Sequence, residues 1–475
     1  MREGVLRPVL FWGFPLLAIA FLVYARPGLF RDPLTLGGLI LIEIVLAGLW
    51  HYRKIYFPLM LITFMLAGVA FPLEGAALTA RWLVLGAGAI AGAALWLRGR
   101  HQSLGALHFA AFSCVPAAAA SAIESNDPTT SLLKVFSLFL LFLYCATGLR
   151  LAVSGREPQF AQGILLGCEI NVWWCALDYP LGWSFWSNPN SLGAVVGVVF
   201  TPFLLWGLLI AETRNEKYRK VIGLLICLAL LFVSMSRASI LTAVATSVFL
   251  CFCLRRMRVL VHGAFMITLL LAVSAVIAPS KFEQLSKSLS SDVIYKGKKE
   301  QGVFGSRETP WQETVASLKL HPWFGTGFGT SDIGRKGQVA KISVLEGVYT
   351  NEGTNREHGN SYLALAEYLG ILGGIPFVIL ILLVIRMIAH MARWMRRTSV
   401  AHHCAVPFSM ILLGGLIHAF FEDWLLAVGY YLCFFFWVCA FVLDDMMPER
   451  TPFRFAAASP AHPHPNAPVP AMTSR

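Results

Sequence analysis

Long apolar runs broken by short polar turns fill almost the whole chain. A helix needs about 20 mostly apolar residues to cross the hydrocarbon core of a bilayer. Runs of that kind fall near 8–25, 34–50, 55–73, 82–97, 105–123, 131–153, 161–180 and 191–211, and then near 221–235, 237–254, 260–278, 361–385, 403–421 and 425–443. The pattern predicts an all-α fold, a polytopic transmembrane helical bundle of about 12–14 spans. The stretch 221–254 reads either as a tight pair of helices or as one over-long helix. The first run follows Arg2 and Arg7 and carries Val23 and Ala25 at cleavage-like positions. It is longer than a usual signal core and is read as a retained span. After Met446 the pattern ends in a Pro/Ala/His-rich tail that cannot bury a core.

Composition agrees with the pattern. Of 475 residues, 57% are hydrophobic and 13% charged, about half the charged share of a soluble domain. A soluble enzyme, a disulfide-rich secreted domain and a disordered chain are excluded. The net charge of +12 does not point to nucleic acid, because the basic residues lie in short clusters between apolar runs. All ten cysteines fall inside or at the ends of predicted spans, where small apolar packing is their usual use. No disulfide is expected, and no Cys/His spacing suggests a metal site. His462 and His464 in the tail are too sparse to argue for one.

Loop charge sets the expected orientation. With both termini cytoplasmic, the inner loops and ends collect 22 Lys and Arg, leaving 16 outside, 11 of them in the long segment 279–360. Long loops cross regardless of charge, so the short-loop comparison is 22 against 5. The expected organisation is an N-terminal transmembrane bundle (1–180), spans carrying polar motifs (181–278), a periplasmic loop (279–360), C-terminal spans (361–445) and a disordered cytoplasmic tail (446–475). The long loop shows two capping patterns, Ser280 to Glu283 and Thr309 to Gln312, with Pro310 at a favoured first helical position. Phe282, Leu285 and Leu289, and then Trp311, Val315 and Leu318, form one apolar face each, as in helices that lie at a membrane boundary. The following Gly325–Gly329 run (GTGFG) is a flexible turn and a weak phosphate-loop signal.

Three helix starts on the expected outer face are polar: SNPNS (187–191), with Asn188, Pro189 and Asn190; SMSRAS (234–239), with Arg237; and NREHGNS (355–361), with Arg356, Glu357, His358 and Asn360. Unpaired N–H groups at a helix start suit phosphate. Arg237 lies between two apolar helices, where an arginine costs at least ~2.5–3.5 kcal/mol and tends to mark function; the alternative is an interfacial arginine that snorkels to water. Arg307, in GSRETPW, is a second diphosphate-binding candidate or an ordinary solvated charge. His358 is a candidate base near neutral pH, or else a cap or surface residue; Glu357 and Glu352 compete for the role of base. His418, Glu422 and Asp423 (HAFFEDW) form a further polar island. Glu43, Glu169, Asp178 and Glu367 lie in or near spans, where they can pair internally, and Lys134 lies near the outer end of its span, within reach of water.

These motifs, taken in order, resemble the O-antigen ligase-like superfamily, which includes O-antigen ligases, O-antigen and exopolysaccharide polymerases, and oligosaccharide-to-protein transferases. The resemblance rests on SNPNSLG (187–193), SMSRAS (234–239), Arg307 to Trp311 followed by HPWFGTGFG (321–329), HGNSYLALAEYLGILGG (358–374) and HAFFED (418–423). It covers roughly 187–425. It implies a GT-C type glycosyltransferase of the bacterial inner membrane, working on the periplasmic side with a polyprenyl (undecaprenyl) diphosphate-linked glycan donor and no metal, nucleotide sugar or other cofactor. It implies that Arg237 and Arg307 grip the donor diphosphate and that catalytic His358 deprotonates the acceptor hydroxyl, with inversion. Gly359 departs from the His-Asn or His-Ser of many ligases and leaves the acceptor class open. The expected partners are the lipid-linked donor, a glycolipid or lipid-linked glycan acceptor and the bilayer, with no nucleic acid. Ligation to lipid A–core and polymerisation of repeat units both fit, and a lipid-linked-sugar transporter is the reading from another class; no internal repeat of the kind common in transporters is seen.

Overall fold

The structure is a computed structural model that describes residues 57–67, 74–98, 104–181, 189–277, 280, 305–331 and 358–448. The expectations for the runs 8–25 and 34–50, for Lys281 to Glu283, for the tail, and for Glu43, Asn188, Glu352, Arg356 and Glu357 lie outside the described residues. The described chain is helical, with no strand. In order, the helices are α1 (Phe57–Leu66), α2 (Glu74–Leu97), α3 (Ala106–Ile123), α4 (Pro128–Val153), α5 (Glu157–Leu181), α6 (Pro189–Ile210), α7 (Arg214–Val233), α8 (Arg237–Cys253), α9 (Met257–Ile277), α10 (Gly305–Leu320), α11 (Ser361–Thr398), α12 (Ala405–His418) and α13 (Tyr431–Met446). Among them, α2 to α6 and α11 each contain a stretch long and apolar enough to cross a membrane, and α1, α8, α9 and α12 contain shorter apolar stretches. The protein is an all-α polytopic membrane bundle.

Local sequence explains where the helices start. Asp127 caps α4 by accepting from the Thr130 N–H at 3.1 Å, with Pro128 at the first position. Thr213 and Glu216 form a reciprocal capping box at the start of α7. The stretch 221–254 is a pair of helices. Ser234–Ser236 separates them, and Met235 turns the chain in the left-handed region at φ 49°. Several boundaries differ from expectation; α2 begins at Glu74 and α13 at Tyr431, against 82 and 425. Helix α11 continues past residue 385 to Thr398, because its last turns are the basic, amphipathic segment that follows the apolar run. Helix α10 begins at Gly305 instead of at a Thr309 cap, and Pro310 lies inside it. Of its expected apolar face, Val315 is exposed and Trp311 and Leu318 are half-buried, while Thr314 and Ser317 are buried.

The centre of the bundle is α6 and α13. Helix α13 (YLCFFFWVCAFVLDDM) is apolar on every side and buried along almost its whole length, as a helix without a polar face must be. By contrast α11 is amphipathic within the membrane sense: Ile371, Ile375, Val378 and Leu382 stand at least half exposed, a surface only lipid can cover without penalty. Small residues bring two helices together under the polar motifs. At Gly197, in a π turn of α6 (Val196–Phe200), an added Cβ would collide with the Ser239 carbonyl, and at Gly193 it would meet Ser234 and Ser236. The start of α8 therefore rests on the backbone of α6.

Charge is segregated. The basic residues Arg150, Arg255, Arg256, Arg258, Arg393, Arg396 and Arg397 lie at one end of the bundle, where Arg150 forms a two-bond pair with Asp445 on α13 (2.6 and 2.7 Å). The starts of α4, α6, α8 and α11 lie at the other. Inside the bundle Glu169 on α5 pairs with Lys220 on α7, with Arg219 at 3.3 Å. Removing one partner of a buried pair costs about 3–5 kcal/mol because it strands a charge, whereas replacing both with apolar residues is often neutral. Lys220→Met is accordingly expected to lower the melting temperature of the detergent-solubilised protein, and Glu169→Leu added to it to restore most of the loss.

Candidate functional site

The site is built at the end of α11 where Asn360 starts the helix. The Asn360 side chain accepts from the Tyr362 and Leu363 N–H groups at 2.8 and 3.1 Å, so it serves as a cap. Ser361 and Tyr362 then tie this helix start to the turn after α12. Ser361 donates from its hydroxyl to the Glu422 carbonyl (2.7 Å) and accepts from the Trp424 and Leu425 N–H groups, while the Tyr362 hydroxyl donates to the Leu416 carbonyl (2.8 Å). The two motifs HGNSY and HAFFED are one structural unit.

That unit encloses His358, which is fully buried. Its Nδ1 is 2.8 Å from Asp423 Oδ2 and its Nε2 is 3.0 Å from Glu367 Oε2. The Tyr368 ring packs edge-on against the imidazole. Burial works against charge on the ring, but the hydrogen bonds and negative charges of Asp423 and Glu367 outweigh it and raise its pKa to about 9. The two carboxylates, one on each nitrogen, favour the charged ring over the neutral one. Glu367 is fully buried, and its other oxygen accepts from Ser331 Oγ at 2.5 Å. Asp423 is 18% exposed.

Glu367 is held by a break in α11. At Gly370 the backbone turns to φ 60°, ψ −164°, a region open to little but glycine. The polar backbone groups freed there are taken up by the 321–331 segment. The Thr326 and Gly327 N–H groups donate to the Glu367 and Tyr368 carbonyls (2.9 and 3.2 Å), and the Ile371 and Leu372 N–H groups donate to the Pro322 and Trp323 carbonyls (2.8 and 3.0 Å). The phosphate-loop reading of GTGFG is thereby corrected: those N–H groups close a helix break and do not face an anion. The segment is anchored in turn by Ser131 Oγ on the Phe328 carbonyl (3.0 Å) and Ser125 on Thr330 (2.8 Å). Lys134, expected to reach water, instead donates to the Gly329 carbonyl and lies within electrostatic reach of Asp423 and Asp127.

The arginines approach from two other elements. Arg307, in the first turn of α10, donates from Nη2 to Glu422 Oε1 at 2.6 Å, both side chains being less than one-fifth exposed. It lies across Gly359, whose φ is +63° and where an added Cβ would sit on the guanidinium. The glycine that departs from the family pattern is thus the residue that lets Arg307 pass beside His358. Arg237 opens α8, close enough to Arg307 for the two positive charges to repel. Its turn is set by His418, which is buried and bridges two elements: Nδ1 accepts from the Trp424 indole (2.9 Å), which leaves Nε2–H to donate to Ser239 Oγ (3.2 Å), itself paired with Ser236. His418 is a structural bridge.

Asn190 lies at the start of α6. Its neighbour Ser191 accepts at its carbonyl from the Tyr431 hydroxyl (2.8 Å), and Gly193 packs against Ser234 and Ser236. The structure therefore brings Arg237, Arg307, His358, Asn360, His418, Glu422 and Asp423 to one end of the bundle, with the start of α6 beside them. Two members were not placed in the site from sequence: Glu367, whose signal is an acidic residue inside an apolar span, and Lys134, a lysine inside another.

Residues 222–378 match the family model described as O-antigen ligase, which supports the O-antigen ligase-like superfamily. The match takes in Arg237, Arg307, His358 and Glu367; Glu422 and Asp423 lie beyond it. No curated protein matches the chain.

Proposed function

We propose, for a chain whose residues 222–378 match the O-antigen ligase model, that the protein moves a glycan from a polyprenyl diphosphate donor to an acceptor hydroxyl at the periplasmic face of the bacterial inner membrane, with both termini in the cytoplasm. Arg237 and Arg307 hold the donor diphosphate. The acceptor oxygen attacks the anomeric carbon from the side opposite the diphosphate, the bond from that carbon to the phosphate oxygen breaks, and polyprenyl diphosphate leaves with the electron pair. The pair formed by His358 and Asp423 takes the acceptor's proton. Charge builds on the leaving diphosphate as the bond breaks, so fixed guanidinium groups beside it lower the barrier. The observation that carries this reading is the convergence of two arginines and a histidine, from three separated segments, at the end of the bundle opposite the basic clusters.

Ligation to lipid A–core is the reading closest to the matched family description, and repeat-unit polymerisation uses the same chemistry. Glycan analysis of a deletion strain tests both. Ligation predicts that long lipid-linked chains accumulate and mature lipopolysaccharide lacks them. Polymerisation predicts that single units are still attached and long chains are lost. An Arg237→Ala chain supplied to the deletion strain is expected to insert at normal levels and leave the defect uncorrected. Normal glycan profiles in the deletion strain count against the whole reading, transport included.

A further inference from the structure

We propose that Asp423 is the catalytic base and that Glu367 is a positioning residue for His358. This rests on the transfer reaction above and names the atom that receives the proton. The argument is one of access. The His358 ring is fully buried and both of its nitrogens are engaged by carboxylates, so no lone pair on the ring faces an incoming hydroxyl. Asp423 holds one end of the same chain of hydrogen bonds and is 18% exposed. Its Oδ2 accepts from the imidazolium, while Oδ1 makes no hydrogen bond among the described residues. It is next in sequence to Glu422, the partner of Arg307, so a hydroxyl that reaches Oδ1 stands beside the arginines that hold the donor.

The groups that face this centre fit the assignment. Glu367 and Tyr368 come from α11, Glu422 and Asp423 from the turn after α12, Arg307 from α10 across Gly359, Lys134 from α4 toward Asp423, and Ser331 from the clamping segment. His418 closes α12, before that turn. Lys134 and the imidazolium both stand beside Asp423. In the step, the acceptor O–H bond breaks, its proton passes to Asp423 Oδ1, its oxygen bonds to the anomeric carbon, and the diphosphate leaves. His358 keeps both protons throughout.

The two possible bases predict opposite pH behaviour. The full chain would be reconstituted in nanodiscs with an undecaprenyl diphosphate-linked oligosaccharide as donor. The acceptor would be lipid A–core glycolipid, or a second lipid-linked unit if the glycolipid is not used. With Asp423 as base and His358 needed as a cation, the rate falls as pH rises through about 9. Glu367→Gln removes one of the two carboxylates that sustain the charge, so the fall moves toward neutral pH when each profile is scaled to its own maximum. Asp423→Ala loses about 10²–10⁴ in rate, the usual contribution of a general base, and added formate returns part of it. That rescue keeps the assignment testable if Glu367→Gln does not fold. A wild-type rate that climbs toward pH 9, with the climb moved to lower pH by Glu367→Gln, overturns the inference and restores His358 as base. An Asp423→Ala rate within tenfold of wild type also overturns it. A wild-type chain that transfers nothing from this donor removes the proposed function and the inference together, which separates the two failures.

Discussion

Arg307→Ala is expected to lower glycan transfer about 10²–10³-fold, the loss typical of removing one electrostatic donor to a developing anion, in a protein that still folds. The structural cost is small because Glu422, which would lose this one bond, is 19% exposed and can be hydrated. Arg307→Lys keeps the charge without the fork of donors that grips a diphosphate through paired bonds, so it is expected to recover only part of the rate. A second substitution separates catalysis from support. If Arg307 only steadied Glu422, Arg307→Ala with Glu422→Gln would recover transfer, because the carboxylate's charge is removed together with its bond to Arg307. If it holds the donor, the double variant stays as inactive as the single one. Initial rates with a lipid-linked donor, alongside size-exclusion profiles of the purified variants, decide the matter.

Gly325→Ala and Gly370→Ala are expected to be the most damaging single changes outside the charged residues. Both positions have positive φ, +70° and +60°, where a Cβ costs ~1–2 kcal/mol from conformation alone. Both also lie backbone to backbone. A Cβ at Gly370 would stand 2.6 Å from the Trp323 carbonyl oxygen, and one at Gly325 would meet the Glu367 carbonyl. Neither neighbour is a side chain that can swing aside, so the 321–331 segment must separate from the helix break. Glu367 then loses Ser331 and its alignment on His358. The expected result is a clear fall in melting temperature together with a loss of transfer larger than the stability change explains. Gly163→Ala, in α5 with open space around it, serves as the comparison and is expected to be neutral or stabilising, as alanine is in a helix interior. If Gly370→Ala melted and transferred like Gly163→Ala, the clamp would have no part in holding the site.

Much of the architecture is legible in the chain because the bilayer imposes a local rule. Backbone polar groups within it must be paired, in most spans inside their own helix, so apolar run lengths mark α3, α4, α5 and α6 to within about four residues. The motif order was likewise readable, as were the arginine turn at Ser234–Ser239 and the polar islands at His358 and His418. Other features were not, and each for a stated reason. Asn360 and His418 look like chemistry in a sequence, yet the first caps a helix and the second bridges an indole and a serine. A polar side chain in an apolar chain signals only that it must find a partner, without saying whether the partner is protein or substrate. GTGFG has the composition of an anion-binding loop, but its N–H groups are consumed by a helix break that run length does not reveal.

From the amino acids alone come the bundle, the segregation of basic clusters from polar motifs, and the resemblance that joins five motifs in one order. These depend on residue type, spacing along a helix and loop charge, all of them local. The tertiary structure decided which charges meet. It placed Asp423 and Glu367, 65 and 9 residues from His358 in sequence, on the two nitrogens of one ring, and it passed Arg307 over Gly359. That arrangement turns the histidine into a buried cation. Charge on a buried group is set by whatever lies within a few ångströms, and such distances exist only once the separated segments that carry these residues have packed.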